Sequence, residues 1–171
     1  MKKIQVLLIM LVLVLLAGLS GTAQAKGLDT QINSFAKNAE SMVLEWEQVE
    51  GWMKANRSEY KGQALMVEIL KSDTRLVITL QVQLLDKFSN AALFAHNKEY
   101  NFFVSEGIRF AENDFPITQE LAELHFKLLA KNLKNDELVH YCLTMSEKIK
   151  ESHRLAQEVS ETLKANENSK G

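Results

Sequence analysis

The sequence predicts an all-α domain, an up-and-down antiparallel bundle of four to five helices. Three observations carry that expectation. The 171 residues include one proline and seven glycines, too few turn formers for a protein of many short strands. Leu, Ala, Glu, Lys and Gln are abundant, and these side chains lose little rotamer freedom in a helix. Several segments return an apolar residue every three or four positions, the period of a helix with one buried face. The length suits one domain, and 46% hydrophobic with 25% charged residues argues against disorder, a collagen-like repeat or a multi-span membrane protein.

The chain opens with Met1-Lys2-Lys3, then an apolar run from Ile4 to Leu16 interrupted by Gln5, then small residues leading to Ala23-Gln24-Ala25. A positive start, a short apolar stretch and a small-x-small site read as a cleavable signal peptide over residues 1–25. The run is short for a membrane span of roughly 20 residues. Retained, the leader would instead tether a sensor-like or structural ectodomain to a membrane. Acylation at the cleavage point needs cysteine, and residue 26 is Lys26. The expected destination is a periplasm or the medium, with no membrane contact after cleavage. Losing Lys2 and Lys3 takes the formal charge from −2 to −4, which speaks against nucleic acid or an anionic lipid surface as partner.

The first helix is expected over 28–56. Leu28, Ile32, Phe35, Ala39, Met42, Trp46, Val49 and Met53 alternate spacings of four and three, and Asp29 or Thr30 is placed to cap it. Trp52 falls off that seam. Residues 60–88 fit two templates. Met66, Ile69, Leu70, Leu76, Val77, Leu80, Leu84 and Phe88 make a helical stripe, while Ile78, Leu80, Val82 and Leu84 alternate as a half-buried strand would. Helix is preferred because a hairpin turn around Lys71 to Arg75 would lack glycine; a hairpin over 64–85, giving an α+β fold, is the alternative.

A third helix is expected over 91–112, with Leu93, His96, Tyr100, Phe103, Val104, Gly107, Phe110 and Ala111 on one face. Asn113-Asp114-Phe115-Pro116 should end it, because a residue preceding proline disfavours helix. A fourth runs over 117–134 with a polar edge of Glu120, Glu123, Lys127, Lys131 and Lys134. Its apolar face is out of phase with the one that follows, so the chain should break at Asn135-Asp136. The fifth helix carries Leu138, Cys142, Met145, Ile149, Ser152, Ala156, Val159 and Leu163 at strict four-and-three spacing. The single domain thus spans 26–165, and the polar tail 166–171 should fray. The heptads of the first and fifth helices fit pairing inside the bundle or a coiled coil with a second chain.

Motifs with chemistry are scarce. Glu137-Leu138-Val139-His140 has the Glu-x-x-His spacing of carboxylate-bridged metal bundles, but in one copy and on a polar stripe with Glu147, Glu151 and Glu158, so no metal site is expected. No phosphate-binding glycine loop, nucleophile elbow or Cys-x-x-Cys-His occurs, so neither an enzyme nor covalent haem attachment is expected. Cys142, the only cysteine, falls inside a seam and should be a buried, inert thiol without an internal disulfide. His96 reads as a core histidine. Asp73 and His125 each interrupt an apolar stripe, and tracing helix layers from 73 through about 105 to about 124 brings them level, with Met42 near the same layer. A buried carboxylate needs a partner, so Asp73 should meet His125. A register-fixing polar pair is the simple consequence; a small-ligand or b-type haem pocket with His125 and Met42 as axial ligands is the functional alternative. The expected role is a non-enzymatic exported bundle that binds a protein partner, or itself, through an amphipathic helical surface of the first and fifth helices.

Overall fold

The computed structural model describes residues 23–94 and 101–168. They form an up-and-down helical bundle with five helices: α1 (Ala23–Ala55), α2 (Ala64–Phe94), α3 (Asn101–Arg109), α4 (Phe115–Asn132) and α5 (Asp136–Asn168). A 3-10 turn, Lys61–Gln63, leads into α2, and a π turn, Phe110–Asp114, joins α3 to α4. No strand occurs among the described residues, so the hairpin alternative at 64–85 is overturned: that segment lies wholly within α2. The leader run and its glycines, like His96 and Tyr100, fall outside the described residues.

Each long helix buries a heptad seam. All eight seam residues assigned to α1 and all eight assigned to α5 are buried, between 0% and 7% exposed. In α2 the buried line is Val67, Leu70, Thr74, Val77, Gln81, Leu84, Phe88 and Ala91, at alternating spacings of three and four. In α4 it is Phe115, Gln119, Ala122, Phe126, Leu129 and Leu133, the last just past the helix end. Helix α1 packs on α2, α2 on both α3 and α4, α4 on α5, and α1 closes on α5, so the four seams converge on one core.

Several boundaries differ from expectation. Helix α1 begins at Ala23, so Asp29 and Thr30 lie within it rather than capping it. Helix α2 continues through Ser89 and Asn90 to Phe94, and Ser89 hydrogen-bonds back to the Leu85 carbonyl at 2.7 Å. Asn113-Asp114-Phe115-Pro116 does not end a helix. Gly107, Ala111, Phe115 and Gln119 are buried at spacings of four, which an α-helical period would carry around the axis by about 40° per step. The wider π turn absorbs this drift and gives Pro116 room at the start of α4, so Phe115 stays helical (φ −69°, ψ −47°). The arm 101–132 is therefore continuous rather than two antiparallel helices. Helix α5 runs on to Asn168, into the segment expected to fray.

Local chemistry fixes the turns. Tyr60 donates its hydroxyl to the Met53 carbonyl at 2.8 Å and its ring faces off-seam Trp52, which ties α1 to the start of α2. Asn135 accepts the Leu138 amide at 3.2 Å as an N-cap, and Asp136 and Glu137 place negative charge in the first turn of α5. Gly107 is buried where α3 meets α2, and an added Cβ there would come into ordinary contact with the Ala91 side chain at 3.4 Å and the Lys87 carbonyl at 3.5 Å.

Candidate functional site

A polar layer crosses the middle of the core. Asn38 of α1 donates to Ser152 of α5 at 2.7 Å and to the Lys148 carbonyl at 2.9 Å. Ser152 donates to Gln81 of α2 at 3.0 Å, and Gln81 donates to Gln119 of α4 at 3.1 Å. One hydrogen-bonded chain thereby links all four arms. Aromatic clusters flank it: Phe35 with Phe88 and Phe115 on one side, Tyr141 with Trp46 and Phe126 on the other. A second buried bond joins Thr74 to Tyr141 at 3.0 Å, and burial pushes the Tyr141 phenol above its usual range. Such a layer penalises any slip of one helix against another, because a slip leaves amides unpaired in the core.

Asp73 and His125 do meet. His125 Nδ1 lies 3.4 Å from Asp73 Oδ2 between α2 and α4. The route to that contact differs from the one inferred, because α2 and the single arm 101–132 are direct antiparallel neighbours. The setting also differs. His125 is 44% exposed by side chain and Asp73 16%, so the pair occupies the rim of the bundle rather than its centre. Asp73 Oδ2 is buried without a hydrogen bond. Half of the pair faces water, so its coupling belongs to the range of solvent-screened surface contacts, about 0.2–1 kcal/mol. In a cycle of Asp73→Leu, His125→Leu and the double variant, denaturant unfolding should show non-additivity of that size; strict additivity would show that the contact contributes nothing.

Met42 does not join them. It is fully buried in the core, while the surface groove beside His125, about 320 Å³, is lined by Met66, Ile69, Leu128, Leu129 and Asn132. Met42 and His125 thus do not face one groove, as the two axial ligands of the haem alternative would have to. Glu137 and His140 are both exposed, and no group of three metal-ligating side chains occurs among the described residues. A larger recess of about 520 Å³ lies between the end of α1 and the start of α2; its Lys54 and Lys71 are held by Glu50 at 3.3 Å and Glu68 at 2.6 Å.

Cys142 is fully buried, and burial together with the nearby Asp73 carboxylate pushes its thiol up to about 12. It should resist thiol reagents at neutral pH while the protein is folded and react on unfolding. Fast labelling of the native protein would contradict that burial.

The surface feature that sequence reasoning missed is apolar. On α4, Ile117, Leu121, Leu124 and Leu128 point outward and are 71%, 53%, 53% and 47% exposed. Alongside on α2, Leu65, Ile69 and Leu76 are 76%, 41% and 49% exposed. Ile69 and Leu76 were expected in the core. The signal was the four-three-four spacing of the α4 set on the face opposite Phe115, Gln119, Ala122 and Phe126. The seams of α1 and α5, by contrast, are consumed inside the bundle. No helix among the described residues is long and apolar enough to cross a membrane. No family model matches the chain, and neither a curated protein nor a solved structure matches it.

Proposed function

We propose that the protein is exported by its leader and acts by binding another protein through the outward face of α2 and α4. One observation carries this reading: seven large aliphatic side chains, each between 41% and 76% exposed, stand side by side on two adjacent helices. Exposed apolar residues scattered singly are ordinary on a protein surface, whereas a set gathered on two neighbouring helices fits the apolar centre of a protein interface. The binding face thus moves from the first and fifth helices, whose apolar residues already pack on one another, to α2 and α4. An amphipathic helical partner would seat its own apolar stripe along this face. Asp73 and His125 lie beside the groove near Ile69 and Leu128, where their polarity would fix the register of what docks.

Replacing Leu121 and Leu124 together by glutamate tests the reading. Both are half exposed, so helicity and thermal stability should stay nearly unchanged. Chemical cross-linking of producing cells should give a discrete adduct with the wild type and lose it with the double variant; an identical adduct pattern would refute this docking face. Export is read separately from the N-terminal residue of the purified protein. Lys26 is expected, and an intact Met1 would contradict cleavage.

A further inference from the structure

We propose that the partner on this face is a second copy of the chain, docked antiparallel through α4 about a two-fold axis between residues 122 and 123. This rests on the reading of α4 as a docking surface and names what covers it. Ile117, Leu121, Leu124 and Leu128 follow the d-a-d-a order of a heptad seam, yet nothing in the bundle packs over them. The seam is symmetric about its midpoint. Turned end for end, it sets Ile117 opposite the partner's Leu128 and Leu121 opposite the partner's Leu124. An isologous interface demands that kind of self-complementarity.

Charge sets the orientation. Glu120 and Lys127 each precede a seam leucine by one position, so they share one flank of α4. It is the flank towards α5, where Glu123 reaches both Lys127 and, at 3.9 Å, Lys150. In an antiparallel two-fold pair like flanks meet, which puts Glu120 against the partner's Lys127 twice per dimer. A parallel pair would instead bring Glu120 to the flank of His125 and Asn132, without a matched cation at each end. Glu120 is exposed and takes part in none of the ion pairs among the described residues. Lys127 is 45% exposed by side chain and keeps donors beyond the one directed at Glu123. The aliphatic residues of α2 then extend the interface along one side of the paired helices, over the groove at His125.

Sedimentation of the purified protein and two charge variants tests the proposal. The wild type should dimerise. Glu120→Lys and Lys127→Glu should each set like charges opposite one another at two symmetric places and weaken self-association about tenfold. An equimolar mixture of the two should restore dimers, since each supplies the charge the other lacks. Far-UV spectra should match the wild type, which separates lost association from lost fold. A wild type that stays monomeric overturns the second copy as partner. If its cross-links in cells still pass through α4, that face remains a docking site for a different protein; if those vanish too, the binding reading falls with it. A dimer indifferent to both charge variants and to their mixture overturns the antiparallel register.

Discussion

Replacing Phe35 by alanine is expected to lower stability by about 4 kcal/mol, roughly 10 °C in Tm for a chain of this size. Phe35 is fully buried in the α1 seam, with its ring 5.6 Å from Phe88 of α2 and 6.0 Å from Phe115 of α4. It is therefore the contact through which α1 reaches two arms at once. Truncation removes the transfer energy of the ring and opens a cavity whose walls are themselves rigid aromatics, so little collapse can offset the loss. The π turn beside Phe115 adds a reason to expect the upper half of the range, because it holds that ring at a fixed phase. Denaturant unfolding checks the size. A loss below about 1.5 kcal/mol would mean that the three rings do not form the tight cluster described.

Gln81→Leu should cost about 3 kcal/mol, although it puts a more apolar side chain into a buried seam. The cost arises from what is left behind. Gln119 loses the amide that its carbonyl accepts, and Ser152 loses the acceptor for its hydroxyl, both in a layer closed to water. Adding Gln119→Leu should recover much of the loss. Leucine then faces leucine and no Gln119 amide is left unpaired in the layer, so only the Ser152 hydroxyl still lacks the acceptor it had in Gln81. The double variant should therefore lie well short of the sum of the singles. Additive single effects would show that the amides act independently rather than as one chain across the bundle.

The seams of α1 and α5 were legible because each helix has one apolar face only, so the 3.6-residue period had a single solution. Helix α2 was harder, since Ile69 and Leu76 on its outer face competed with Leu70 and Val77 for the core. Gln81 lies between Leu80 and Val82, where it also fits the polar half of a strand-like alternation. Following Val67, Leu70, Thr74, Val77, Gln81, Leu84, Phe88 and Ala91 at heptad spacing would have placed both polar members, and hence the polar layer, inside the core. The boundary at 113–116 was misread for a physical reason. A residue before proline avoids the α region in an ordinary helix, but a π turn supplies room that sequence rules do not anticipate. Asp73 and His125 meet as expected, but each was placed at the centre of an apolar stripe, whereas both lie on the flank of one, where α2 and the arm 101–132 run as direct neighbours. Their placement at the rim follows from the outward apolar set of α4, which runs beside the charged edge of Glu120, Glu123 and Lys127.

The reading of α4 as the docking face is tested most directly by a photo-reactive side chain placed at position 124 of the protein in the cells that produce it. On illumination, position 124 should capture one discrete partner, and an adduct of twice the chain's mass would mark that partner as a second copy. The same probe at exposed Gln157 on the outer surface of α5 should capture none. Equal labelling from both positions, or none from position 124, would contradict the account.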